Sequence, residues 1–356
     1  MKGLILSGGK GTRLRPLTYT GTKQLVPVAN KPVLFYAIAN LVEAGISDIG
    51  IIISPETGEQ VKQAVGDGTQ FAARVTYILQ PQPLGIAHGI RIARDFIGAE
   101  AFVLFLGDNF IRGGIGPQLN AFREQAMDAQ IILYEMADPS SMGVAVLDGE
   151  MRVTRVVEKP KQFISPYAVI GIYMFTASVF EAVSAIQPSA RGELEITDTI
   201  QYLVDAGRNV RAHLLREPWI DTGKMSDMLD ANRLILEMIE PRIEGSVDEQ
   251  SQIVGRVVIE RGAHVVGSVI RGPAIIGANA RIEHAFVGPF TAIDHDCVVS
   301  HAEIENSIVM DSSRITNVRD RISDSLIGRF VEIYQSPPTP KALRLMLGDH
   351  SQVGVL

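Results

Sequence analysis

The last third of the chain carries a repeat that few folds can accommodate. After Glu240, branched aliphatic residues recur at Ile253, Ile259, Val265, Ile270, Ile276, Ile282, Val287, Ile293, Val299, Ile304 and Val309. The steps are 6, 6, 5, 6, 6, 5, 6, 6, 5 and 5, so three steps make a unit of 17. Four positions after several of these anchors the residue is small: Ala263, Ala274, Ala280, Thr291 and Cys297. An aliphatic residue facing inward every six positions is the mark of a parallel β-helix, with three short strands per coil. A sandwich needs longer strands at a longer spacing. The repeat stops at YQSPPTPKALRLML, where Pro337, Pro338 and Pro340 break it. Leu343, Leu345, Met346 and Leu347 are expected in a short helix or tail that caps the coil or meets another subunit.

Before Glu240 the pattern is different. Short apolar runs predict strands at 3–7, 49–54, 75–79, 101–106, 130–135, 144–147, 153–157, 168–175 and 210–214. Helical periodicity predicts helices at 32–44, 59–65, 86–96, 116–125, 177–185, 197–206 and 226–239. Strand then helix, repeated, means an α/β fold. The expected sheet is Rossmann-like and mixed, mostly parallel, with helices on both faces and ligands beyond the carboxyl ends of its strands. The expected domains are 1–240 for this part, 241–335 for a left-handed parallel β-helix of six-residue repeats, and 336–356 for the tail. A length of 356 residues suits more than one core.

The net charge of −7 argues against a chain that coats nucleic acid. Yet residues 1–42 hold Lys2, Lys10, Arg13, Arg15, Lys23 and Lys31 and no acid, which points to a local anion site. Cys297 is the only cysteine, so no intrachain disulfide can form. The N-terminal apolar stretch is too short for a signal peptide, and no run approaches a membrane span. A cytoplasmic location with no membrane partner is the expectation.

The basic stretch surrounds SGGKGTRLRP. The only Gly-Lys pair, Gly9-Lys10, is followed by Gly11, so a P-loop fails. The dinucleotide fingerprint fails for want of its third glycine, and Pro16 disfavours a helix leaving the loop. What remains is a glycine loop whose N–H groups can cradle phosphate oxygens, with Arg13 and Lys23 close by in sequence. A tight turn with solvated charges is the plain alternative.

Two carboxylates follow apolar stretches. FVLFLGDNF ends in Asp108, and EPWIDTGKMSDML presents Asp221. Alone, Asp108 fits an Asx turn equally well and Asp221 fits a turn or helix entry; if the fold brings them together, they match the one or two carboxylates that hold phosphate-linked Mg²⁺. VVEKPK places Glu158 and Lys159 at a strand end, where they suit a sugar hydroxyl and a second phosphate, or merely an exposed ion pair.

In order, GGKGTRLRPLT, KQLVPV, LGDN, VEKP, GELEITD and WIDTG resemble the sugar-1-phosphate nucleotidylyltransferases over the first ~240 residues. Lys23-Gln24, where many relatives have Lys-Pro, and the appended β-helix point to the long form of the branch that transfers thymidylyl to glucose 1-phosphate. The resemblance implies that Leu6, Gly8, Gly9, Gly11, Thr12, Arg13, Gln80, Gly85 and Asp108 bind the nucleotide, Gln80 and Gly85 reading the pyrimidine. It implies Gly143, Glu158, Lys159, Val169, Glu193 and Trp219 for the sugar phosphate, and Asp108 and Asp221 for Mg²⁺. Arg13, Lys23, Asp108 and Lys159 are the expected catalytic residues. Met142 replaces a Tyr of short-form relatives. The implied substrates are dTTP and glucose 1-phosphate, in a homo-oligomer.

Three alternatives stand beside this: a UTP-preferring enzyme, a non-catalytic sugar-nucleotide sensor, and acyl transfer by the β-helix. The last rests on His264, His284, His295 and His301.

Overall fold

The computed structural model describes residues 1–9 and 11–336. The tail expected at 336–356, apart from its first residue, lies outside them. The described residues form two compact units. One is drawn from Met1–Lys10, Gly21–Leu25 and Val33–Asp221, the other from Gly11–Thr20, Val26–Pro32 and Thr222–Leu356.

The chain enters on β1 (Lys2–Leu6), followed by two-residue strands β2 (Pro27–Val28) and β3 (Lys31–Pro32). Then come β4 (Asp48–Ile53), β5 (Arg74–Leu79), β6 (Phe102–Leu106), β7 (Asn109–Ile111), β8 (Ala129–Glu135), β9 (Gly143–Leu147), β10 (Val153–Glu158), β11 (Tyr167–Phe175), β12 (Val210–Leu215) and β13 (Trp219–Asp221). The helices are α1 (Val33–Glu43), α2 (Gly58–Val65), α3 (Ile86–Ile92), α4 (Arg94–Ile97), α5 (Gly116–Glu124), α6 (Val179–Ala185), α7 (Ile196–Asp205) and α8 (Met225–Leu236).

In the first unit, one sheet runs β10-β9-β11-β6-β1-β4-β5, with β8 on β11 and β12 on β8. It is mixed, as expected. Pairings β1–β4, β1–β6, β4–β5 and β8–β12 are parallel. The pairings that β11 makes with β6, β8 and β9, and that of β9 with β10, are antiparallel, so the parallel share is half rather than most. Strand β11 reverses the direction that β1, β4 and β6 share, because the run from β8 to β11 returns without a helix in its path.

Past Lys2 and Asp48 at their first positions, β1 and β4 run apolar, as does β6, because both faces are covered. Leu4 faces a cluster with Ala87 and Ile90 of α3 and Ile200 and Leu203 of α7. Ile5 faces the opposite cluster, with Leu34, Ile38 and Leu41 of α1 and Val61 and Val65 of α2. Each such fully buried aliphatic contributes roughly 1.5–3 kcal/mol. The helix expected at 86–96 is divided at Ala93, whose ψ of 3° leaves helical geometry; no Gly or Pro stands at the break.

The second unit carries the coil. Among its described residues, sixteen short strands pair in parallel in three sheets of six, six and four. The register stacks the sequence anchors on one another: Ile259 on Ile276 on Ile293 on Val309, Val265 on Ile282 on Val299, and Ile253 on Ile270 on Val287 on Ile304. The small residues Ala263, Ala274, Ala280, Thr291 and Cys297 are wholly buried beside them. At the corners the backbone turns through positive φ at Gly262, Asn279 and Asp296, one above another, and at Gly267, His284 and His301. Gly, Asn and Asp tolerate that region best.

One sheet of this unit also has an apolar outer row, Val258, Ile275, Ala292 and Ile308, all buried. In the same unit, Asn232 of α8 accepts a hydrogen bond from the Ala29 N–H (2.9 Å) and donates to the Phe290 carbonyl (2.8 Å). Asn30 donates to the Ile293 carbonyl at 2.7 Å. These bonds lay α8 and the β2–β3 turn against the coil. No helix among the described residues is long and apolar enough to cross a membrane.

Candidate functional site

The first unit opens a cavity of about 210 Å³ beyond the carboxyl ends of β1 and β6. Leu6, Gly8, Gly9, Gln80, Gly85 and Asp108 line it, together with Lys23, Gln24 and Glu193. This is where open α/β sheets bind ligands. Strand β1 delivers Leu6 and the glycines, β6 delivers Asp108, and the residue after β5 is Gln80. Room at Gly85 is decided by backbone. Its φ is +98°, and a Cβ there would stand 2.4 Å from the Leu194 carbonyl oxygen.

Lys23 lies in a single 3₁₀ turn and its ammonium donates to Asp108 Oδ2 in a largely buried ion pair. Burial pushes the Asp108 carboxyl up, but the Lys23 charge and the hydrogen bonds from Lys23 and Asn109 outweigh it. The carboxyl is held below its ordinary range. Asp108 is therefore ionised at neutral pH.

Asp221 comes from the ribbon β7–β13, which the sequence reading took as loop. Its register sets Asp221 opposite Asn109, the residue after Asp108, and Trp219 opposite Ile111. The Trp219 indole N–H donates to Asn109 Oδ1 at 2.7 Å, and its ring packs 5.6 Å from Tyr134. The structure thus brings Lys23, Asp108 and Asp221 into one neighbourhood. Two hard carboxylates there suit a divalent cation that keeps phosphate oxygens as further ligands.

A second group sits on β9, β10 and β11. Gly143 pairs with Glu158 on one side and Val169 on the other, so the three share a row. The Lys159 N–H donates to the Met142 carbonyl at 2.9 Å, and the Lys159 ammonium lies 3.7 Å from Glu158. A Cβ on Gly143 would stand 2.6 Å from the Thr197 methyl. Thr197 Oγ1 donates to Glu158 at 3.3 Å. Arg191 reaches Glu158, Glu193 and Glu195 at 3.2, 3.3 and 2.7 Å. Burial and the neighbouring Glu195 carboxylate raise the Glu158 pKa, against the pull of Arg191 and Lys159.

Gly11, Thr12 and Arg13 belong to the other unit. Gly11, with φ +60°, opens the 3₁₀ turn Thr12–Leu14, and the Arg13 side chain is exposed. Thr18 donates to the Gly11 carbonyl at 2.7 Å and closes the loop. Lys10 lies outside the described residues. The four β-helix histidines weighed for acyl transfer are all exposed, His284 and His301 with rings 5.0 Å apart.

Gln24, His88, Arg191 and Thr197 were not assigned from sequence. Gln24 and Thr197 lie inside quoted motifs and were within reach, and Arg191 stands one residue before GELEITD. His88 sits on a face of α3, where only the fold shows what it touches.

Comparison with known proteins agrees with this geometry. The family model described as Nucleotidyl transferase matches residues 2–238. The chain is 49% identical over 355 residues to a glucose-1-phosphate thymidylyltransferase of Streptomyces griseus, covering 100% of this chain and 99% of the relative. It is 50% identical over 356 residues to the protein of that name from Streptomyces antibioticus, again covering 100% and 99%. A solved Bacillus anthracis structure, with sucrose bound and the same name given provisionally, superposes with a TM-score of 0.64 at 35% identity. That match covers 68% of this chain and 98% of the other. A family match over the whole α/β part and near-50% identity over the full length make this chain a member of the nucleotidyl transferase family.

Proposed function

We propose that the chain joins dTTP and α-D-glucose 1-phosphate into dTDP-glucose with release of pyrophosphate. The observation that carries this is the Lys23–Asp108 pair set beside Asp221, on a cavity walled by Gly8, Gly9, Gln80 and Gly85. The full-length similarity to the two Streptomyces enzymes supports the choice of substrates.

In this reading an oxygen of the sugar phosphate attacks the α-phosphorus of dTTP. The bond from that phosphorus to the bridging oxygen breaks on the opposite side, and both bonding electrons leave with pyrophosphate. The nucleophile is already ionised, so no side chain has to remove a proton. The work is to hold two polyanions together and oppose the charge that develops. Lys23 contributes a cation at the glycine loop, and Lys159 contributes one at the sugar phosphate. Glu158, in the row with Gly143 and Val169, accepts hydrogen bonds from sugar hydroxyls. Asp108 and Asp221 would hold Mg²⁺, which when bound neutralises phosphate charge.

The test is pyrophosphate release from the full chain across dTTP, UTP and dCTP, each with glucose 1-phosphate and with other sugar 1-phosphates. The expected result is the highest kcat/KM for dTTP with glucose 1-phosphate. No release with any pair would overturn the proposal. A UTP preference would correct its nucleotide, since a methyl contact is worth only ~1–3 kcal/mol.

A further inference from the structure

Gln80 is only 7% exposed and still lines the cavity. Its amide is oriented by two partners. The NH₂ group donates to the Gly85 carbonyl at 3.3 Å and meets His88 Nδ1 at 3.0 Å. The Gly85 carbonyl can only accept, which favours the nitrogen on that side, but at 3.3 Å it is the longer contact and His88 Nδ1 the closer one. His88 Nδ1 then accepts too, which puts the ring's proton on Nε2 and leaves the imidazole neutral. Both amide protons are committed, and Oε1 is what remains. It stands 3.3 Å from where a Cβ on Gly8 would be, on the cavity wall.

A wall that offers an acceptor discriminates by chemistry. The imide bases thymine and uracil carry a donor, N3–H. Cytosine carries a lone pair at the same position. If the amide turned over, it would offer a donor there and the preference would reverse.

We propose that His88 is a positioning residue for base selection: it locks the Gln80 amide with its oxygen toward the nucleotide, so that the site takes an imide pyrimidine and rejects cytosine. His88 itself is 7% exposed on α3 and touches no phosphate or sugar group in this reading. Burial, and secondarily the nearby Arg91 charge, lower its pKa, which agrees with the neutral ring that the geometry requires. The role deepens the proposed function and rests on it.

The experiment compares kcat/KM for dTTP and dCTP, at saturating glucose 1-phosphate, in the wild-type chain and in His88→Phe, His88→Ala and His88→Asn. Phe keeps the bulk without an acceptor, Ala removes both, and Asn places Oδ1 where Nδ1 stands. The dTTP:dCTP ratio is expected to fall at least tenfold in His88→Phe and His88→Ala. The loss should appear as a higher KM for dTTP, with kcat within about threefold, and His88→Asn should restore most of the ratio. A ratio that survives in whichever of Phe and Ala folds overturns the role of His88 while leaving the enzyme assignment standing. A wild-type chain that transfers no nucleotide overturns the proposed function instead.

Discussion

At the scale of single residues, Lys23 and Asp108 hold two roles that pull against each other. As an ion pair they hold each other's charge in a largely buried place; in the proposed reaction they would exchange partners when phosphate and cation arrive. Asp108→Asn is expected to cut turnover by orders of magnitude, and near-normal activity would overturn the metal assignment. It also leaves a largely buried ammonium facing a neutral amide, at a cost of about 3 kcal/mol. The double variant Lys23→Met/Asp108→Leu should recover most of that stability in urea unfolding and none of the activity. Recovery of activity would show that the pair is structural. The pH dependence has a definite sign. The folded pKa of Asp108 lies below the unfolded value, so the unfolded state binds more protons in between, and stability rises with pH there. The contribution is complete above about pH 4 and is lost as pH falls below it. Asp108→Asn should flatten the acid limb of the stability curve, measured as urea midpoints from pH 5 to 2.5; an unchanged limb would sink this account. On the sugar side, Lys159→Ala should raise the KM for glucose 1-phosphate tenfold or more with little change in that for dTTP. The reverse pattern would reassign Lys159 to the nucleotide.

At the scale of elements, the ribbon β7–β13 is the piece that sequence reasoning missed and chemistry needs. Sequence reasoning placed no strand at 109–111 or 219–221, because each has only three residues. Neither has a period long enough to see; the pairing exists because residues 109–111 and 219–221 meet from about 110 positions apart. By contrast, β1, β4 and β6 were legible because burial on both faces leaves a continuous apolar run, and α1 because its buried positions Leu34, Ala37, Ile38 and Leu41 keep a helical spacing. Motifs marked Asp108 and Asp221 as candidates; the ribbon sets Asp221 opposite the residue after Asp108. Trp219 closes it through Asn109. Trp219→Phe keeps the ring beside Tyr134 and removes the hydrogen bond, for about 1 kcal/mol. If the ribbon positions Asp221, this variant should also need several-fold more divalent cation for half-maximal activity. An unchanged metal requirement with lowered stability would make Trp219 a packing residue alone.

At the scale of the whole molecule, the six-residue repeat announced the coil, but it could not announce what covers the coil's apolar outer row. The Asn232 amide joins Ala29 to Phe290, residues 203 and 58 positions away, and no local pattern marks such a contact. The cover matters for how the chain unfolds. Residues 11–20 and 26–32 belong to the β-helix unit although the chain before, between and after them belongs to the other. The two units are therefore interlaced by the chain itself, and an isolated 245–356 fragment would lack both α8 and the β2–β3 turn. Each unit happens to carry a natural probe. Trp219, the only tryptophan, reports the first. Cys297, the only cysteine, reports the second from the middle of the coil. Its thiol donates to the Met310 carbonyl, and burial pushes its pKa up to about 12, so it should not react with a disulfide reagent in the native protein at neutral pH. In a urea series, tryptophan fluorescence and Cys297 labelling are expected to change at the same midpoint, because the chain passes repeatedly between the segments of the two units. Two separated midpoints, with the thiol exposed while the tryptophan signal is still native, would show that the coil opens alone and that interlacing does not couple the units.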